Sequence, residues 1–351
     1  MNTWGTEIKL TVFGESHAEC VGCTFETGVS GLELDFDFLR GMLKRRSAKD
    51  DGISTSRHED DEFSIISGVK GGVTTGTPIT AIFKNKDVKS KSYNCDVMRP
   101  SHADYPAAIK YGAHNDSRGG GQFSGRMTAP LVFAGAIAAL LLKPIGINVF
   151  SHIYSIGNCF DTAFAHGMES ITIENPFFPL INQNKCEAMK MEIENNLPDS
   201  TGGVVECIVL HPPVGLGEPF FDTVEGELAK ILFSIPGVRA VEFGSGVAMS
   251  RSSGLASNDA LYYDKNGVVR TFTNNSGGVN GGMCNGMPIV FRTYFRPVPS
   301  IPQIQKTINI KTMENTHTEV DGRFDACVLP RAAVVVEAVA ALVIYDLCRR
   351  M

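Results

Sequence analysis

Three short segments carry side chains suited to moving protons. His17 closes FGESH, Phe13 to His17, where an imidazole titrating near neutrality can act as acid or base. A hydrogen-bonded turn histidine would read the same way. His102 lies in Arg99-Pro100-Ser101-His102-Ala103-Asp104-Tyr105, two residues from a carboxylate and again in a turn-rich context. Asp325 lies in GRFDACVLPR, Gly322 to Arg331, with Arg323 and Arg331 beside it at the entrance of a long apolar run. Glu337 sits one to two turns inside that run, and a carboxylate in such surroundings needs a partner, an arginine for example.

Other segments suit anions. SRGGGQFSGR, Ser117 to Arg126, sets three consecutive glycines between two arginines. Backbone N–H groups there suit an anion, helped by the helix that follows, although a flexible glycine hairpin has the same signature. Arg45, Arg46 and Arg57 share one polar stretch and suit a carboxylate or phosphate, while Glu59, Asp60 and Asp61 offer to neutralise them as a solvated face. NNSGGVNGGMCNG, Asn274 to Gly286, gives a backbone able to approach a planar ligand or simply stacked turns. His17, Cys20 and Cys23 form an H-x-x-C-x-x-C array, but no second Cys/His pair at zinc-finger spacing accompanies it, so no metal is assigned.

These groups need elements to hold them. Ile8, Leu10 and Val12 alternate with Lys9 and Thr11 and predict a half-buried strand ending at FGESH. Asp37–Arg46 reads as a helix, and residues 44–62 read as a mobile polar lid on the surface. Strands are expected over Glu62–Ser67, Ile79–Lys84 and Val204–Leu210, with Asp222 and Glu225 as a capping pair for a helix ending near Phe233. Met127–Leu142 and Arg331–Leu347 are apolar on nearly every face, which predicts helices covered on all sides, between layers. No linker, repeat or strand-GxGxxG-helix unit divides the chain, so one interwoven domain over residues 1–351 is expected.

Composition narrows the classes. Lys and Arg total 32 against 38 Asp and Glu, a net charge of −6, which argues against generic nucleic-acid or anionic-membrane binding. At 43% hydrophobic and 20% charged, the 351 residues suffice for a large core and exclude disorder as the main state. Nine cysteines, an odd number spread from Cys20 to Cys348, read as reduced thiols of a cytoplasmic protein. The longest apolar run, Ala129–Leu142, has 14 residues where a bilayer needs about 20, and is expected in the core.

Taken in order along nearly the whole chain, these segments resemble the chorismate synthase family. The resemblance rests on FGESH with Gly22, SGVKGGVTTGTP, RPSHADY leading to SRGGGQFSGR, GLGEPFFD, SIPGVRAVEFGSG, SGGVNGGMCNG and GRFDAC with its following helix. It implies an α+β fold with a helical layer between antiparallel β-sheets, assembled as a homotetramer. It implies an FMN-dependent carbon–oxygen lyase of the shikimate pathway to aromatic amino acids. That enzyme converts 5-enolpyruvylshikimate 3-phosphate to chorismate and phosphate by 1,4-elimination, with reduced FMN not consumed. By position, His17 would protonate the departing phosphate, His102 would protonate or hold the reduced flavin near N1, and Asp325 would relay the C6 proton through flavin N5. Arg45, Arg46, Arg57, Arg126 and Arg331 would bind substrate. Gln122, Phe123, Ser124, Pro236, Gly237, Gly281, Arg296, Pro297, Val298, Pro299, Ser300 and Arg323 would hold FMN.

The sequence departs from the family pattern at named places. Ser47-Ala48-Lys49 replace Arg-Pro-Gly, Gln122 and Phe123 replace Arg-Ser, and Met127 replaces a glutamate. Arg296 replaces a lysine, and Phe324 and Ala326 flank Asp325 in place of His and Pro. Gly52 stands where many members carry a basic residue linked to NADPH or substrate. An external flavin reductase is therefore the expected partner, with NADPH used only if the chain reduces its own flavin. The same departures define an alternative, a flavin- or phosphoester-binding homologue that kept the fold without turnover.

Overall fold

The computed structural model describes residues 2–49, 51–57, 59–88, 95–112, 114–168, 170–319 and 323–351. Asp50 and His58 of the polar stretch, and Gly322 of GRFDAC, lie outside the described residues. The helices are α1 Phe36–Arg46, α2 Asp104–Tyr111, α3 Thr128–Leu142, α4 Cys186–Glu194, α5 Val224–Leu232, α6 Gly254–Ser257 and α7 Leu329–Arg350.

One antiparallel five-stranded sheet runs Thr3–Trp4, Lys9–Gly14, Cys20–Glu26, Ile79–Lys84, Phe63–Ser67 in spatial order. Ile79, Ala81 and Phe83 are buried in alternation with Thr80, Ile82 and Lys84, as a strand packed on one face requires. The second runs Cys159–Phe160, Asn148–Ile156, Gly203–Leu210, Ile289–Phe295, Val238–Phe243, also antiparallel. Its central strand Gly203–Leu210 is buried on both faces. Phe164 packs on Ile208 and Leu210, with Ile171 and Ile181 completing the cover.

The helical layer lies between these sheets. α3 packs on the first sheet and on α7, and α7 packs on Asn148–Ile156 and Gly203–Leu210 of the second. This is the sandwich the resemblance implies, and it explains two helices without a polar face. In α7, 17 of 22 residues are buried, so no side of it is left for solvent. The stretch Gly125–Ile145 is long and apolar enough to cross a membrane by length and composition. Its apolarity is used against the sheet and α7.

The two central helices touch at Gly135. A Cβ there would stand 2.3 Å from the carbonyl oxygen of Ala338 and 2.5 Å from its Cβ. Gly135→Ala is therefore expected to cost about 1–3 kcal/mol through overpacking, read as a lower urea midpoint. An unchanged midpoint would mean that the helices separate freely. Asp346 of α7 pins the first sheet to this layer. Its carboxylate accepts from the amides of Thr6 (3.1 Å), Glu7 (2.8 Å) and Ile8 (2.8 Å) and pairs with Arg350.

Most expected elements appear within a few residues, with two corrections. The cap of α5 is Thr223, whose hydroxyl accepts from the Gly226 amide at 3.0 Å; Asp222 instead bridges back to Glu218. The polar stretch 44–62 is not a surface lid throughout. Arg46, Ile53, Thr55, Glu59 and Asp61 are buried, because the charges are compensated inside rather than solvated. All nine cysteines are free thiols.

Candidate active site

A cavity of about 820 Å³ opens where the loops after both sheets and the starts of α3 and α7 converge. His17, His102 and Asp325 all line it. So do Arg46, Arg57, Arg126, Arg331 and Arg323, and the segments Gln122–Ser124, Pro236–Gly237 and Arg296–Ser300.

The triple glycine positions the two histidines. Gly119, Gly120 and Gly121 have φ of +58°, +85° and +52°, a left-handed run that other residues resist. A Cβ on Gly119 would lie 2.5 Å from His17 Nε2, and one on Gly120 would lie 3.5 Å from His102 Nε2. Adjacent bare backbones thus face adjacent imidazoles. The Ser16 amide donates to Gly121 O at 3.1 Å, which ties FGESH to the turn. Arg118 turns away to Asp116 at 2.6 Å, so only Arg126 of the flanking arginines lines the cavity.

His102 belongs to a fixed relay. Its Nδ1 lies 2.8 Å from Asp104 Oδ1, and Arg99 donates to the same carboxylate from Nε (2.7 Å) and Nη2 (2.8 Å). Burial opposes the Asp104 charge, but hydrogen bonds from Arg99 and His102 overcome it and hold the carboxyl well below the usual range. An ionised carboxylate only accepts, so His102 Nδ1 carries the hydrogen and Nε2 faces the triple glycine. His17 differs. Burial, with Arg57 and Arg118 adding to it, lowers its pKa despite Asp116.

The arginines divide by partner. Arg57 donates to Ser16 Oγ (2.7 Å) and to Glu59 (3.0 Å), and its buried Nε has no acceptor among the described residues. Arg331 donates to Asp325 at 2.7 Å and through Nε to Arg46 O at 2.8 Å; the Thr55 amide also donates to Asp325, at 3.0 Å. Burial opposes the Arg331 charge, yet Asp325 raises its pKa overall. Arg323 pairs with Asp87. Arg46 and Arg126 both bind Asp61, from Arg46 Nε at 2.7 Å and from Arg126 Nη1.

Two expected site residues fall elsewhere. Arg45 makes a bidentate pair with Glu337, at 2.8 and 2.7 Å, and lines a separate cavity of about 380 Å³. It is the partner that the carboxylate inside α7 required, and successive helix residues point in different directions, so Arg45 cannot join Arg46 in the clamp. Gly281 lies in the Val279–Asn280/Met283–Cys284 hairpin, whose Gly282 packs on Thr223, and does not line the cavity. The Cys20–Cys23 array also separates. Strand alternation turns residues three apart to opposite faces, and Cys23 is fully buried.

Sequence reading did not assign Arg99 and Arg239, which also line the cavity, nor the anchoring role of Asp104, and it offered Asp61 as a neutraliser only on a solvated face. Asp104 was visible beside His102, but nearness in sequence alone does not establish pairing. Among the described residues, eight arginines line the cavity against two carboxylates, Glu59 and Asp325. Among the described residues Arg296 donates only to the carbonyls of Pro297 and Ser101, and burial with the nearby Arg239 charge lowers its pKa. Such cations suit a polyanionic ligand. Ile235, Val238, Leu131 and Val328 add an apolar lining suited to a ring. The residues present therefore fit a flavin phosphate together with an anionic substrate.

Fold and site together define the class: an α+β enzyme with acid–base groups converging on an anion-binding cavity. The comparisons give the family. The chorismate synthase family model matches residues 8–348. A chorismate synthase of Dehalococcoides mccartyi is 42% identical, covering 99% of this chain and 97% of the relative. One of Thermococcus kodakarensis is 43% identical, covering 97% and 96%. A crystal structure of a chorismate synthase superposes with a TM-score of 0.75 at 25% identity, covering 98% of this chain and 92% of that one. The chain belongs to the chorismate synthase family.

Proposed function

We propose that this chain is an active, reduced-FMN-dependent lyase that eliminates phosphate from 5-enolpyruvylshikimate 3-phosphate to give chorismate. The observation that carries the reading is the convergence of His17, His102 and Asp325 on one arginine-rich cavity. His17 protonates the departing phosphate. Arg46, Arg57, Arg126 and Arg331 bind the substrate's phosphate and two carboxylates. Asp325, aimed by Arg331 and the Thr55 amide, is the final acceptor of the C6 proton. His102, fixed through Nδ1 by Asp104, would hold the cofactor with its Nε2. FMN would be held by Gln122–Ser124, Pro236, Gly237, Arg296–Ser300 and Arg323, with Arg239 added. Reduced FMN, when bound, supplies an electron-rich ring beside the substrate and is not consumed.

The substituted residues Gln122, Phe123, Met127 and Phe324 line the cavity without displacing these groups, which supports turnover over binding alone. Gly52 has φ +71° with open space at its Cβ, so a basic residue there would be strained; this supports an external flavin reductase. A homotetramer accords with Phe220 and Phe221, 90% and 94% exposed. Free thiols accord with a cytoplasmic, single-domain protein.

The test is anaerobic phosphate release with photoreduced FMN, then with oxidised FMN plus NADPH. Release in the first alone gives a lyase served by an outside reductase, and silence in both sinks the proposal. The pH dependence has a definite sign. His17 must carry a proton to act as acid, and its pKa is lowered in the free enzyme, so kcat/KM should fall as pH rises through a value below about 6.5. Bound phosphate adds negative charge beside His17, so the kcat profile should break at higher pH. Coincident breaks would remove His17 as the acid.

A further inference from the structure

Asp61 lies behind the cavity wall and holds two of its arginines. Its side chain is fully buried and accepts from Arg46 Nε (2.7 Å), from Ser47 Oγ (2.7 Å) and from Arg126 Nη1, with Arg46 Nη2 at 2.5 Å. Its φ of +53° is a left-handed conformation that a residue with a Cβ adopts at a cost, so the surroundings impose it. The two arginines come from different places, the end of α1 and the turn before α3. Asp61 comes from a third, the stretch between α1 and the strand Phe63–Ser67.

The arginines are not equally held. Arg126 also donates to Asn85 Oδ1 (2.9 Å) and Lys84 O (3.2 Å). Beyond Asp61, the Arg46 side chain has only Thr128 Oγ1 among the described residues, at 3.4 Å. The largest charge effects on Arg46 come from Asp61, which favours its cation, and from Arg331 and Arg126, which oppose it. Burial, only partly offset by Asp61, already pushes Arg46 down to about 10.

We propose that Asp61 is a positioning residue that aligns Arg46 and Arg126 into one substrate clamp. It touches neither substrate nor cofactor and acts through the two guanidinium groups. The inference rests on the proposed lyase activity, with these arginines as substrate ligands. A carboxylate that merely tempered the positive cavity would weaken anion binding, so its removal would tighten it. A positioning carboxylate gives the opposite sign, because two unaimed, mutually repelling cations bind worse than two aligned ones.

The experiment compares Asp61→Asn, Asp61→Glu and Ser47→Ala with the parent enzyme, reduced FMN present throughout. Asp61→Asn should raise KM for the phosphorylated substrate about tenfold or more while lowering kcat less. FMN affinity, read by fluorescence quenching, should stay near the parent value. Asp61→Glu, which keeps the charge, should bring KM part of the way back. Ser47→Ala, which loosens one contact and spares the ions, should raise KM about two- to fivefold and serves if Asp61→Asn fails to fold. A lower KM in Asp61→Asn, or an unchanged KM in folded Asp61→Asn or in Ser47→Ala, overturns the inference. An inactive parent enzyme overturns the lyase reading instead.

Discussion

His17→Ala is expected to lower kcat by about 10²–10⁴-fold, the usual worth of a positioned general acid, with KM changed far less. The imidazole lies on a half-buried turn at the cavity wall and faces the bare backbone of Gly119, so its removal leaves a gap beside the cavity. Folding should survive, with an unchanged circular dichroism spectrum and melting temperature. The phosphate oxygen that departs must still acquire a proton, and water in an arginine-lined cavity is a poor donor. Added imidazole should restore part of the rate, more at pH 6 than at pH 8 because the protonated form is the donor. A variant within about threefold of the parent kcat would assign protonation to another group.

Gly119→Ala should be nearly as damaging, although alanine has no chemistry of its own. The new methyl would stand 2.5 Å from His17 Nε2, 2.6 Å from Cδ2 and 2.9 Å from Ser16 Oγ, and the backbone there has φ +58°. The left-handed conformation alone costs about 1–2 kcal/mol for alanine. The contact must also be relieved, and the movable partner is the His17 ring. Displacing a catalytic group by about 1 Å costs about 10²-fold, so kcat should fall by that order with a modest drop in melting temperature. Gly41→Ala is the control. It sits within α1, has no atom near its Cβ and should be silent or slightly stabilising. Parent-like kinetics in Gly119→Ala would mean that the turn moves aside and does not fix His17.

Much of this was legible before any coordinates. Alternation showed the strand around Ile8–Val12, Ile79–Lys84 was also expected as a strand, and the lack of a polar face placed α3 and α7 between layers. The partner demanded by Glu337 was also foreseen, but not that it would be Arg45. Two neighbouring arginines at a helix end look alike in a sequence. Only the helix orientation sends Arg45 to α7 and Arg46 to the cavity. The stretch around Asp61 misled for a related reason. Charge density reads as solvation, and nothing local shows that one carboxylate will meet two arginines, one of them 65 positions away. Arg239 stood among apolar neighbours with no spacing signal. Gly281 was placed by resemblance, and its hairpin packs on the segment before α5.

The position of α7 bears on how the protein is made. It is the last helix of the chain, yet both sheets rest on its layer, and Asp346 within it holds the amides of residues 6–8. A ribosome emits α3, the cover of the first sheet, before the second sheet is complete, but it emits every strand of both sheets before α7. At about 5–20 residues per second, the face of the second sheet that α7 covers waits several seconds to tens of seconds for closure. Truncation within α7 should therefore give insoluble product rather than a smaller folded protein.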